Sequence, residues 1–320
     1  MTAPHLIVND LSVSMEGREL LHGLSFELEP GGRLGLIGGS GSGKTLTALA
    51  IAGLLPENAR VSGSIRVRLS GERGDESDGG SGGGSGGGSG GGPDGEHELV
   101  GLPDREFAAL RGDLIGMVFQ EPKTALNPLR RLGRQMTESL ALHYALTRRQ
   151  RREAALRLAA RVGLSDPERM VRAYPHEVSG GQRQRAAIAA AISANPGLLL
   201  ADEPTTALDV TVQRGVLRLF RELTETDACS LLFITHNLAV MAEVVDRVLV
   251  LDAGRIVEQG AVADILTAPA HPVTRQLIDA AASEAGMAQP GREAREARES
   301  RESREAREGR EGRETREERG

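Results

Sequence analysis

Lys44 is one of only two lysines among 39 Lys and Arg side chains, and it stands in the run Gly38-Gly39-Ser40-Gly41-Ser42-Gly43-Lys44-Thr45. Gly, four residues, Gly, Lys and Ser or Thr is the spacing of a phosphate-binding loop. Glycines let successive backbone N–H groups close around phosphate oxygens at the positive end of a helix. Lys44 adds a point charge for the β and γ phosphates, a task for which the wider planar fork of Arg is a poor substitute. Thr45 offers a hydroxyl to Mg2+. The flanks agree: residues 33–37 read as a buried strand, and residues 45–52 as a helix stopped by Gly53 with Pro56 beyond it.

A second run, Leu198-Leu199-Leu200-Ala201, has strand character and delivers Asp202 and Glu203 at its end. In open α/β sheets ligands lie beyond the carboxyl ends of the strands, so both carboxylates would arrive near the phosphates. Asp202 is suited to orient Mg2+, usually through water. Glu203 can polarise an attacking water as general base.

Val178-Ser179-Gly180-Gly181-Gln182, followed by Arg183-Gln184-Arg185, resembles the signature of ATP-binding cassette (ABC) ATPases, with Val178 where the family usually carries Leu. The other landmarks follow in the family's order: Gln120 after Met117-Val118-Phe119, the loop Thr206-Ala207-Leu208-Asp209, and His236 after Ile234-Thr235. The resemblance spans roughly residues 5–280. It implies a P-loop NTPase of the ABC type: α/β, with a mainly parallel core sheet, an antiparallel β-subdomain and a helical signature subdomain at about residues 121–195. It implies ATP and Mg2+ as cofactors. Ser179, Gly180, Gly181 and Gln182, at another helix N-terminus, would hold the γ-phosphate of a nucleotide bound by a second ATPase subunit, with Asp209 also at the nucleotide. Gln120 would sense Mg2+ and the attacking water, and His236 would contact the γ-phosphate. Relatives place an aromatic ring on adenine after the first strand; the matching residue here is Met15.

Gln120-Glu121-Pro122-Lys123-Thr124-Ala125-Leu126-Asn127-Pro128-Leu129, Tyr174-Pro175-His176-Glu177, Ala207-Leu208-Asp209-Val210-Thr211-Val212-Gln213 and His271-Pro272-Val273-Thr274 narrow the resemblance to the oligopeptide, dipeptide and nickel importer branch. There the ATPase is a peripheral chain on the cytoplasmic face of the membrane. It pairs with an identical or different second cassette and docks under two integral membrane permease subunits, while an extracytoplasmic binding protein supplies the solute. The iron–sulfur cysteines of some members are missing. A runner-up is a non-transport ABC ATPase assisting a cytoplasmic complex, such as one for phosphonate degradation.

The elements that position these residues must come from a restricted alphabet. Hydrophobic residues are 39% and aromatics only 2%, so the core is aliphatic and a platform of rings for single-stranded nucleic acid is excluded. A net charge of −6 argues in the same direction, and no nucleic-acid partner is expected. The apolar runs are too short to span a bilayer. Neither a signal peptide nor, with Cys229 alone, a disulfide framework is expected. Residues 6–14, 24–29, 64–69 and 98–100 read as strands of an antiparallel layer over the base. Residues 79–92, only Gly and Ser, fall at a hairpin tip and read equally as an engineered linker or a natural insertion. Thr147 should cap a helix with Leu156, Ala160 and Val162 on its inner face. Beyond Asp209, helix (210–223), strand (230–235), helix (238–245) and strand (247–252) alternate, which implies a parallel sheet. One ATPase domain over residues 1–288 and a solvated Arg/Glu tail over 289–320, ten of each, complete the expected organisation.

Overall fold

The computed structural model describes residues 6–68, 96–120, 125–206, 208–226 and 229–284. One compact unit runs to Leu277; of the second, residues 278–320, only 278–284 are described. The Gly/Ser run, the Arg/Glu tail and the boundary expected after residue 288 lie outside the described residues.

Strands β1 (Leu6–Met15) and β2 (Arg18–Leu28) form a hairpin in which Met15 faces Arg18. Glu16 and Gly17 both take positive φ, 52° and 78°, the handedness that matches strand twist in a two-residue turn. This turn lets β2 begin well before the expected residue 24. A strict alternation from Leu6 and Val8 would push Asp10 into the core. Instead a register shift between Val8 and Leu11, with Asp10 at φ 51°, returns Leu11 and Val13 to the buried face. Gly63 lies against this bulge, where a Cβ would collide with the Asp10 carbonyl. β4 (Ala59–Arg68) pairs with β1, and the short β5 (Glu96–Glu98) pairs with β4, giving the order β2-β1-β4-β5. The antiparallel layer is thus present, and the Gly/Ser run falls in the connection between two neighbouring strands.

The second sheet contains β3 (Arg33–Gly38), β6 (Ile115–Val118), β7 (Leu198–Asp202), β8 (Ser230–Ile234), β9 (Arg247–Asp252) and β10 (Arg255–Ala261), in the order β10-β9-β3-β8-β7-β6. All neighbours are parallel except β10, which turns back on β9. Every residue of β7 and β8 is buried, which is why both read as unbroken apolar runs rather than alternating ones.

Helix α1 (Lys44–Ile51) follows β3, and α2 (Asp104–Leu110) precedes β6. The helical part comprises α3 (Leu132–Met136), α4 (Glu138–His143), α5 (Arg148–Arg161), α6 (Pro167–Met170) and α7 (Gly180–Ala191). Thr147 does cap α5, accepting from the Gln150 N–H. The inner face differs from the expected one. Ala154, Ala155, Leu158 and Ala159 are buried with Val162, whereas Leu156 is half-buried and Ala160 exposed. Both stripes have four-residue spacing, and packing against α3 and α7 selects between them. The chain continues through α8 (Val210–Thr226), α9 (Leu238–Ala242), α10 (Val262–Thr267) and α11 (Pro272–Glu284). No helix among the described residues is long and apolar enough to cross a membrane.

Candidate active site

The loop between β3 and α1 is held from behind and open in front. A Cβ on Gly38 would strike the Leu251 carbonyl, and one on Gly43 would lie 2.5 Å from Leu21 Cδ2; Gly39 and Gly41 face nothing within 4 Å. Gly41 (φ 76°) and Gly43 (φ 106°) are left-handed, conformations that side chains resist. The Gly254 N–H donates to the Ser42 carbonyl (3.0 Å), fastening the loop to the β9–β10 turn. α1 has no side-chain cap and no acid in its first turn, which leaves its amino-terminal N–H groups for an anion. Ser42 Oγ is buried with no hydrogen-bond partner among the described residues. An acceptor oxygen entering the loop is what this orphaned hydroxyl lacks.

Lys44 is 7% exposed, and its Nζ donates to the carbonyls of Gly38 (2.9 Å) and Gly39 (2.8 Å). Burial draws its pKa down, while the nearby Glu203 and Asp202 carboxylates work in the opposite sense. Asp202 ends β7, 2% exposed, and accepts from Thr45 Oγ1 at 3.3 Å. Burial raises its pKa and the Glu203 charge adds to the rise; the Thr45 hydroxyl and Lys44 oppose it. Thr45 and Asp202 form an all-oxygen pair suited to a hard cation. No group of three or more His, Cys, Asp or Glu that could hold a metal occurs among the described residues. A cation here would therefore complete its shell with phosphate, water or a neutral oxygen such as the Gln120 amide.

Glu203 sits just beyond β7 at φ 44°, with its N–H donating to the Ile234 carbonyl at 2.9 Å. Its Oε2 accepts from Gln120 Nε2 (3.2 Å) and Thr206 Oγ1 (2.8 Å), and its Oε1 lies 3.1 Å from His236 Nδ1. Gln120, Glu203 and His236, distant in sequence, thus meet at the carboxyl ends of β6, β7 and β8. Thr206 joins them unforeseen. Its signal was the three-residue offset from Glu203 across a turn, in which the Thr206 N–H also donates to the Glu203 carbonyl.

Ser179 and Gln182 engage each other in a reciprocal cap: Ser179 Oγ accepts from the Gln182 N–H (3.3 Å), and Gln182 Oε1 from the Ser179 N–H (3.0 Å). Gly180 faces open space, while a Cβ on Gly181 would lie 2.5 Å from Val212 Cγ1, so the starts of α7 and α8 lean on each other. Asp209 Oδ1 accepts from the Val212 N–H at 3.0 Å and caps α8. No hydrogen bond among the described residues joins these groups to the phosphate loop. Met15 is half-buried at the end of β1. Beside the site, an apolar groove of about 520 Å3 is lined by Leu54, Phe119, Leu126, Leu142, Ala187 and Ala191, with Leu142 80% exposed.

The family described as ABC transporter aligns with residues 21–206. The chain is 42% identical over 283 residues to the peptidoglycan transport ATP-binding protein YejF of Agrobacterium fabrum, an alignment covering 87% of this chain and 47% of that one. It is 40% identical over 278 residues to the probable peptide ABC transporter ATP-binding protein y4tR of Sinorhizobium fredii (86% and 76% covered). The dimeric structure of a post-hydrolysis state of the ATP-binding cassette MJ0796, bound to ADP and Pi, superposes with a TM-score of 0.64 at 25% identity, covering 80% of this chain and 98% of that one. The chain spans about half the length of the first relative and about three quarters of the second. With a phosphate loop on a mainly parallel sheet and more than half its length aligned to the family, this chain belongs to the ABC transporter family as one of its ATP-binding cassettes.

Proposed function

We propose that the chain is the ATP-hydrolysing subunit of an importer for peptides, nickel or a similar small solute, working at the cytoplasmic face of a membrane. The observation that carries the hydrolytic reading is the Glu203 carboxylate, gripped by Gln120, Thr206 and His236 beside buried Lys44 and Asp202. The ATP phosphates enter the loop of residues 38–45. There Lys44 exchanges the Gly38 and Gly39 carbonyls for β and γ oxygens, and Ser42 Oγ finds its acceptor. Thr45 and Asp202 would hold Mg2+, with Gln120 alongside; when bound, the ion would offset charge on the phosphate oxygens. Glu203 takes the proton of the attacking water, a general-base role. Gln120 and His236 keep the carboxylate aimed and orient water and γ-phosphate. Met15 lies against the base.

The signature residues Ser179, Gly180, Gly181 and Gln182 close over the γ-phosphate of a second cassette, identical or related, with Asp209 on the same face. Their local capping leaves Gly180 open toward such a partner. The apolar groove receives a segment of an integral membrane permease. Phe119 lines that groove and is adjacent in sequence to Gln120, so motion of the segment reaches the water-orienting side chain directly. Peptide or nickel as cargo rests on the motifs around Gln120, Tyr174 and His271 and on relatives whose names carry peptide transport.

The test is recovery of the tagged chain from gently solubilised membranes. Two integral membrane proteins should co-purify in stoichiometric amounts and be released by Leu142→Asp, with nucleotide affinity unchanged. Recovery only with soluble enzymes, insensitive to Leu142→Asp, would overturn the importer reading.

A further inference from the structure

Six arginines, Arg131, Arg134, Arg148, Arg151, Arg152 and Arg172, line one cleft of about 590 Å3 in the helical part. No residue of the phosphate loop or of the Glu203 cluster lines it. Its floor is built on a close approach: the Gly133 N–H donates to the Val171 carbonyl (3.1 Å), leaving no room for a Cβ. Arg151 is committed to the fold, donating to Thr137 Oγ1 and the Arg134 carbonyl, both at 2.9 Å. Arg152 and Arg172 share one carboxylate, Glu168. Arg131 stacks on the Tyr174 ring. Arg134 and Arg148 have neither an ion pair nor a side-chain hydrogen bond among the described residues. Both residues are exposed and line the cleft.

Such a cluster works against the fold. Four of the first five residues of α5 are arginine, with no acid in the first turn, at the end where the helix dipole disfavours cations. This happens on a chain whose net charge is −6, so the cleft is not a sample of a uniformly basic surface. A compact, densely charged anion relieves both the mutual repulsion and the dipole mismatch. Guanidinium forks match phosphate bidentately. Peptide carboxylates are spaced one or more residues apart along a chain and cannot reach the same charge density in so small a volume.

We propose that this cleft binds an anion carrying two or more clustered phosphate groups, at a site separate from the nucleotide loop. Inorganic tripolyphosphate is the probe for a free ligand, titrated calorimetrically into the wild-type chain, the Arg134→Ser/Arg148→Ser double variant and Lys44→Ala. The wild type should show two classes of site. The double variant should weaken one by at least about tenfold, a loss of ~1.4 kcal/mol, while keeping ATP affinity, ATPase rate and thermal midpoint. Lys44→Ala should spare that same class. A lipid source is tested by sedimentation with phosphatidylcholine vesicles containing either cardiolipin, whose headgroup carries two phosphates, or phosphatidylglycerol, which carries one, at equal charge. Binding that favours cardiolipin and is lost in the double variant places the phosphates on headgroups and also supports the site. Unchanged tripolyphosphate binding and unchanged vesicle binding in the double variant would overturn it, and neither arm depends on the importer reading.

Discussion

Glu203→Gln separates chemistry from architecture because the site can accept the amide almost without change. Glutamine has the same length, so whatever the φ of 44° costs is common to both side chains. An amide oxygen at the Oε2 position keeps the hydrogen bonds from Gln120 and Thr206, and the amide nitrogen at the Oε1 position can donate to His236 Nδ1. Removing the charge relieves its repulsion of buried Asp202 and removes an attraction for Lys44, two effects of opposite sign. The thermal midpoint should therefore stay within about 2 °C of wild type, since ~1 kcal/mol moves a domain of this size by ~2–4 °C. Turnover should fall at least ~100-fold, the lower bound for general-base catalysis, which corresponds to ~2.7 kcal/mol of barrier. Phosphate release measured at saturating ATP, with binding of a fluorescent ATP analogue followed in parallel, reads both halves. Retained binding with more than about a tenth of wild-type turnover, under 1.4 kcal/mol of lost stabilisation, would remove Glu203 from the role of base.

Gly38→Ala should abolish nucleotide binding and lower the thermal midpoint by several degrees, because its Cβ meets a backbone carbonyl that cannot yield; calorimetry with and without ATP checks both effects. Asp202→Asn should stabilise the nucleotide-free chain near neutral pH. The native pKa of Asp202 is raised, so the unfolded chain releases its proton first and stability falls as pH rises from the ordinary value of 3.8 toward the native one. The advantage of the variant should accordingly vanish in melts below that window, and an unchanged gap across pH would contradict a buried carboxylate. Met15→Tyr should tighten ATP binding several-fold at constant turnover, ring stacking on a base being worth ~1–3 kcal/mol against ~0.3–1.5 for a thioether; equal dissociation constants would move Met15 away from the adenine.

What was legible in the sequence is what local chemistry forces. The loop of residues 38–45 needs its glycines, and the apolar run ending at Asp202 can only be a buried strand; β9 occupies the 247–252 expected of it. The convergence of Gln120, Glu203 and His236 followed once three strand ends were known to be parallel neighbours. Other features were decided by tertiary choice. In α5 the alanines at 154, 155, 159 and 160 are too small to mark an inner face, and two stripes of equal spacing competed. The register shift at Asp10 hid the true extent of the first hairpin, since a period of two is broken where the chain bulges. Gln182 and Asp209 also bond to the helix starts of their own chain, a capping role that follows from their three-residue offsets from Ser179 and Val212. The three-residue offset of Thr206 from Glu203 was a weak signal, because many threonines stand one turn from a glutamate without bonding to it.

Cys229, the sole cysteine of the sequence, is 5% exposed, and burial pushes its thiol up to about 12. A thiol kept protonated and covered is a poor nucleophile toward alkylating labels. The chain is thus already a silent background for spectroscopy, with no reactive cysteine to remove first. A reporter thiol placed at Ser179 would be the one reactive position. For two identical cassettes paired as proposed above, spin or fluorophore pairs attached there would report the distance between their signature surfaces as nucleotide is added and consumed.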